Sequence, residues 1–326
     1  MVAEFPVTLS APSDTDTVVT FTVADGTGTL GDADYVAPTE LTVTIPAGET
    51  SAVFPVTVNG DDVVESDEEF EVTIANTTNG TIDPAATTGT GTITNDDSTT
   101  VTIEDVIVDE DAGTVTVPVT LSNPSDEDTV IEIVTTTGTA GEDDYVETIV
   151  TVTIPAGETE GEVIVPITED TTDEEDEIFT VDGTVTSDNT ENTDPSGTVT
   201  IIDNDDAPTV TIEDVIVDED AGTVTVPVTL SNPSDEDTVI EIVTTTGTAG
   251  EDDYEQTIVT VIIPAGETTG EVVIPIEDDD LDEGDEIFTV NGTVTSDNTA
   301  NTDPSGTVTI TDNDGPPTVT IEDVIV

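Results

Sequence analysis

The sequence predicts an all-β chain: tandem immunoglobulin-like, seven-stranded β-sandwiches in an elongated array, followed by an unpaired opening strand at the C-terminal end. Three observations carry this. Val and Ile alternate with Thr and acidic residues at period two over short runs, the mark of half-buried strands. Clusters of Pro, Gly, Asn and Asp separate those runs, and no helical period occurs. The stretch Val101-Thr-Ile-Glu-Asp-Val-Ile-Val-Asp-Glu-Asp-Ala-Gly-Thr-Val-Thr-Val-Pro-Val119 returns almost unchanged at Val210, 109 residues on, and its opening returns at Val319 after another 109. Repetition this close points to tandem duplication.

The expected units are 1–98, 99–207 and 208–316, with 317–326 left over as an opening strand that has no unit behind it. The first unit is diverged. Its Pro46-Ala-Gly-Glu49 matches Pro155 to Glu158 and its Glu68-Glu-Phe70 matches Glu177-Ile-Phe179, but it starts at a sequence resembling the second strand of a repeat. It therefore lacks the strand that 317–326 carries spare.

Within 99–207 the expected strands are 100–108, 113–121, 129–136, 147–154, 160–168, 177–186 and 197–202. In the opening strand Val101 and Ile103 share one face, while Val106 and Val108 share the opposite parity. Because side chains alternate strictly, a bulge or kink at Glu104-Asp105 must let both halves face inward, so this strand is expected to cross between sheets. The second to fourth strands follow by alternation. Between the fourth and fifth, Pro155-Ala-Gly-Glu158 suits a type I turn with Pro at i+1 and Gly157 at i+3. Before the last strand, 187–197 is too rich in Asn, Asp, Pro and Gly to continue either neighbour. Four buried Val/Ile in the opening strand would contribute ~6 to 12 kcal/mol, against a whole-domain margin of ~5 to 15 kcal/mol. A first unit without them is expected to be close to unfolding or to take a strand from elsewhere.

Composition narrows the partners. The 326 residues include 77 Asp and Glu, no Lys, no Arg, no His and no Cys, for a net charge of −77. Such a polyanion cannot neutralise phosphates, which excludes nucleic acid and anionic membrane surfaces. No run of about 18 apolar residues could span a membrane. Residues 1–10 lack the basic start and apolar centre of a signal peptide, and disulfides are absent with cysteine. Like charge at this density resists compaction unless cations screen or bridge it. Cations are thus the expected partners.

Antiparallel connectivity gathers the acidic loops at one pole. In the second unit they are Asp109-Glu-Asp111, Glu142-Asp-Asp144, Glu169-Asp170 with Asp173 to Glu177, and Asp203-Asn-Asp-Asp206. Carboxylates from four loops with no basic residue suit a hard cation with ~6 to 8 oxygen ligands, Ca²⁺ more readily than Mg²⁺. A solvated acidic surface with diffuse counterions is the competing reading. Paired glycosidase carboxylates are not: the clusters are too charged and too evenly repeated to hold one raised-pKa acid, so no enzyme is expected.

Four motifs recur in order. They are Gly138-Thr-Ala-Gly-Glu-Asp-Asp-Tyr145, Ile154-Pro-Ala-Gly-Glu158, Asp279-Asp-Leu-Asp-Glu-Gly-Asp-Glu-Ile-Phe288 and Thr198-Val-Thr-Ile-Ile-Asp-Asn-Asp205. In these the chain resembles the Calx-beta domain family over essentially its whole length. The resemblance implies an immunoglobulin-type sandwich binding several Ca²⁺ ions at one pole. Carried over by position, it implies ligands Glu110, Asp144, Asp170, Glu174, Glu177, Asp203 and Asp205 in the second unit. In the third these become Glu219, Asp253, Asp279, Glu283, Glu286, Asp312 and Asp314. In the first they are Asp34, Asp61, Glu65, Glu68, Asp97 and Asn95, with no counterpart of Glu110.

Three functions are consistent with this. One is a secreted, calcium-stabilised extracellular filament subunit that polymerises head to tail, with Val319, Ile321, Val324 and Val326 of one copy filling the first unit of the next. A second is a repeat excerpt of a long cell-surface adhesin. The third, a calcium sensor, suits near-identical copies least.

Overall fold

A computed structural model of the chain describes residues 1–28 and 34–324. It is all-β, with two 3-10 turns, Glu110–Ala112 and Glu219–Ala221, as the helical pieces among the described residues. The first unit holds β1 (Val2–Thr8), β2 (Thr17–Asp25), β3 (Tyr35–Val36), β4 (Thr42–Ile45), β5 (Ser51–Val58), β6 (Glu68–Thr77) and β7 (Thr88–Ile93). The second holds β8 (Val101–Ile103), β9 (Val106–Asp109), β10 (Thr114–Leu121), β11 (Thr129–Thr137), β12 (Ile149–Ile154), β13 (Glu160–Pro166), β14 (Glu177–Val185) and β15 (Ser196–Ile202). The third repeats these as β16 (Val210–Ile212), β17 (Val215–Asp218), β18 (Thr223–Leu230), β19 (Thr238–Thr246), β20 (Ile258–Ile263), β21 (Thr269–Pro275), β22 (Glu286–Val294) and β23 (Ser305–Thr311).

Each unit is two sheets facing one core. In the second, a three-stranded sheet ordered β13-β10-β8 packs on a five-stranded sheet ordered β12-β11-β14-β15-β9. The opening strand joins them. β8 pairs antiparallel with β10, Ile103 opposite Val119, and β9 pairs parallel with β15, Val106 opposite Val199. Val101 and Ile103 are buried in one sheet, and Val106 and Val108 pack on the same core from the other. The parity change at Glu104-Asp105 is thus the crossing point.

The turn at Pro155 differs from the expected type. The Glu158 N–H donates to the Pro155 carbonyl at 3.0 Å, making Pro155 position i and Gly157 position i+2, with φ of 81°. Positive φ at i+2 belongs to a type II turn, which favours Gly there.

The second and third cores each bury twenty apolar residues, whereas the first buries nine with nine more partly covered, among the described residues. No described strand stands in the first unit where β8 and β9 stand in the second. Bulkier side chains take up part of the space. By sheet register Phe5, Phe21 and Phe54 occupy the positions of Val117, Ile133 and Val163, and Ile74 that of Gly183. Phe21 stacks on Phe54 with centroids 4.4 Å apart, and Phe5 meets Phe70 edge-on.

The segment expected as a spare strand forms none over 317–324. It pairs with no strand of the same chain, and Val319, Ile321 and Val324 are exposed. Val326 lies outside the described residues.

Candidate metal centre

The functional side chains sit in the connections between strands or at a strand's first residue. β9 runs out at Asp109, and a single 3-10 turn closed by Gly113 (φ 71°) sets Glu110 into the interior, 5 % exposed. Asp144 precedes Tyr145, whose ring lies buried on Phe179 with centroids 4.1 Å apart, so packing fixes the loop that carries the carboxylate. Asp144 Oδ2 accepts from the Gly141 N–H at 2.6 Å. Asp170 Oδ1 accepts from the Thr172 N–H at 2.6 Å, a local turn that aims this loop. Glu177 begins β14, and Asp203 and Asp205 follow β15.

These side chains form two triads in the second unit. Glu110, Asp170 and Asp205 bring carboxylate oxygens within 4.8 Å of one another, and so do Asp144, Glu174 and Glu177. A cavity lined by Glu110, Asp144, Glu174, Glu175, Glu177, Ile201 and Asp203 joins them. Asp203 is in neither triad; it lines this cavity and accepts from the Asp205 N–H at 3.4 Å. The third unit repeats the pair as Glu219, Asp279 and Asp314, and Asp253, Glu283 and Glu286. There Asp312 accepts from the N–H groups of Glu283 at 3.2 Å and Asp314 at 3.1 Å.

The first unit carries one such triad among the described residues, Asp34, Glu65 and Glu68. Asn95 Oδ1 accepts from the Glu65 N–H at 3.3 Å. Asp61 and Asp97 join no triad; Asp61 is tied to the Val63 N–H at 3.0 Å, and its charge helps raise the Asp97 carboxyl, after loss of hydration and the charges of Asp96 and Asp62.

With no basic side chain in the sequence, nothing in the protein balances these groups. Burial first, then the charges of Asp144, Asp170, Glu177 and Glu110, push the Glu174 carboxyl up to about 8. Burial, a hydrogen bond with Asp144 and that residue's charge take Glu177 up to about 7. Glu286 rises to about 7 for the same reasons, with Asp253 as the partner. Burial also raises Glu110, against the opposing Asp170 N–H at 3.1 Å. Two carboxylate oxygens, Asp205 Oδ2 and Asp314 Oδ2, are buried with no hydrogen-bond partner.

Family comparison agrees with the motifs. A domain model described as Calx-beta matches residues 1–106, 94–205 and 203–314. The chain belongs to the Calx-beta domain family. Solved structures similar to it include CBD12 from CALX1.2, 21 % identical over 61 % of this chain and 83 % of that one, with a TM-score of 0.30. The calcium binding domain CBD12 of CALX1.1 is 20 % identical, covering 59 % and 79 % with a TM-score of 0.31. The apo Calx CBD1 domain is 22 % identical, covering 33 % and 100 % with a TM-score of 0.30. No curated protein matches the chain.

One feature of the Calx-beta units had no sequence signal. The residue before the first Glu of each paired loop bonds the next unit through its backbone. Val64 N–H donates to the Pro124 carbonyl at 2.9 Å, and the Val64 carbonyl accepts from Asp126 N–H at 3.0 Å. Asp173 does the same with Pro233 at 3.1 Å and Asp235 at 3.2 Å. Asn123 and Asn232 add side-chain bonds to the carbonyls of Ser98, at 2.8 Å, and Asp206, at 3.0 Å. The contacts between the second and third units are thus carried mainly by the loop holding Glu174, with the Asp206 carbonyl accepting from Asn232.

Proposed function

We propose that the chain is the structural subunit of a secreted, calcium-stabilised extracellular filament, in which 317–326 of one copy completes the first unit of the next. The calcium part rests on Asp205 Oδ2 and Asp314 Oδ2, buried without a donor inside all-oxygen triads. A hard divalent cation is the partner such atoms fit, and Ca²⁺ with ~6 to 8 oxygen ligands suits two triads opening on one cavity. Glu110, Asp170, Asp203 and Asp205 would hold ions on one side, and Asp144, Glu174 and Glu177 on the other. The third unit would use Glu219, Asp279, Asp312 and Asp314 with Asp253, Glu283 and Glu286. In the first, Asp34, Glu65 and Glu68 would bind, with Asp61, Asp97 and Asn95 as outer ligands. The bound ion supplies positive charge between loops that otherwise repel.

The assembly part is supported by the partly covered first core beside exposed Val319, Ile321 and Val324. By register with β8 and β9, Val319 falls opposite Leu9, just past β1, Ile321 opposite Val7 of β1, and Val324 beside Gly91 of β7. The contact does not close on itself, so it propagates. Light scattering of the full chain with millimolar calcium chloride tests the reading. Polymer that grows with concentration, dissolves in EDTA and is lost in Val319→Glu/Ile321→Glu is expected. A monomer under all conditions refutes it.

A further inference from the structure

Each five-stranded sheet ends on an exposed edge strand, β12 in the second unit and β20 in the third. In the second unit the edges available to a neighbour differ in charge: β9 ends on Asp109, β13 carries Glu160 and Glu162, and β8 has three residues. β12, Ile149-Val-Thr-Val-Thr-Ile154, is six residues long and carries none. Its repeat β20, Ile258-Val-Thr-Val-Ile-Ile263, is also uncharged. Natural sheets blunt a free edge with charge. Among the edge strands of this unit, β12 is the one longer than three residues that carries no charge, and Ile149 and Ile258 are 81 % and 82 % exposed.

The backbone of that edge is unpaired among the described residues. β12 pairs only with β11, and Thr135 N–H donates to the Thr148 carbonyl at 3.0 Å. Antiparallel ladders alternate, so Val150, Val152 and Ile154 bond inward, and the N–H and C=O groups of Ile149, Thr151 and Thr153 point away from the sheet. A cleft of about 420 Å³ lined by Val150, Thr151, Val152 and Ile164 opens beside them, and the third unit has its equivalent.

We propose that β12 and β20 pair antiparallel with the same strands of a second copy of this chain, joining two chains side by side. A strand carrying Glu or Asp would meet Glu147, Glu158 and Glu160 at the ends of β12, so a polyanionic partner must be neutral along its own edge, as this chain is. The strand is also self-complementary. A two-fold axis at Thr151 sets Ile149 against Thr153 and Val150 against Val152, so β-branched side chains face each other throughout. β12 and β20 each offer one such edge.

This inference is independent of strand donation, and the experiment keeps them apart. Sedimentation would be measured on full-length Val319→Glu/Ile321→Glu in millimolar calcium chloride and about 1 M NaCl, where screening falls to ~3 Å. Reversible dimers are expected. Adding Thr151→Glu/Thr260→Glu, both exposed, should raise the dimer Kd by roughly tenfold or more, since each new carboxylate faces its own copy. Adding Thr184→Glu/Thr293→Glu, the same charge on the middle strands β14 and β22, should leave it unchanged. A monomer throughout, or equal weakening by both pairs with melting temperatures unaltered, overturns the proposal.

Discussion

Gly197 lies directly beneath the kink of the opening strand: a Cβ on it would stand 2.7 Å from the carbonyl oxygens of both Ile103 and Glu104. Gly306 repeats this under Ile212 and Glu213. Gly89 holds the same register position in the first unit, yet a Cβ there would meet only the Phe5 ring, at 3.2 Å.

Alanine at these two positions should therefore behave differently. Gly197→Ala forces backbone apart and should cost ~1 to 3 kcal/mol, the range for overpacking. Gly89→Ala should leave chain melting within ~0.5 kcal/mol, as Phe5 can turn aside. If a donated strand crosses Gly89 as the opening strand crosses Gly197, the same change should reduce polymer yield sharply. Thermal melting and light scattering on each variant give the two readings.

Chelation should expose the raised carboxyls. Glu174, near 8, and Glu177 and Glu286, near 7, keep their protons in the folded, metal-free chain at pH values where the unfolded chain has lost them. Their contribution to stability is complete below the ordinary carboxylate range and disappears as pH rises through about 7 to 8. In EDTA the melting temperature should fall between pH 5 and pH 8.5. With saturating Ca²⁺ the trend should reverse, since the ion binds the ionised groups. A flat profile with and without EDTA would favour diffuse counterions.

Removing one ligand should be read unit by unit. Glu110→Gln should weaken Ca²⁺ binding in the second unit by on the order of 10-fold to 100-fold and leave the third unaffected. Calorimetric titration against Glu219→Gln separates the two. In the first unit Glu68→Gln should lower stoichiometry less, because among the described residues one triad rather than two stands there.

Phe179→Ala should cost ~3 to 5 kcal/mol by cavity formation. It also frees Tyr145, which anchors the loop of Asp144. Loss of calcium affinity in this variant should therefore exceed that in Val117→Ala, a core change in the other sheet.

Much of this was readable in the residues. Alternation located the strands of the repeats to within two residues at nearly every end, and the parity change at Glu104-Asp105 revealed the sheet crossing. The family resemblance, carried over by position, named the carboxylates that meet in every triad among the described residues, because side chains on loops of fixed length travel with the strands those loops join. The first core was less readable. Its Phe5, Phe21 and Phe54 are recognised as replacements for Val117, Ile133 and Val163 only through cross-strand register, so the expectation that it is nearly unfolded omitted the volume they restore. The turn at Pro155 depended on which carbonyl Glu158 N–H reaches, and composition does not encode that.

The contacts between units were invisible for a different reason. Val64 and Asp173 share no chemistry, yet they make the same two bonds, because only main-chain N–H and C=O take part. This main-chain part of the joint does not depend on which side chains meet across it, and the Asn123 and Asn232 bonds that accompany it recur in both joints. A stretch of 109 residues that is copied or deleted carries its own plug and socket, so such a gene can lengthen or shorten its product by whole units without new interfaces having to evolve.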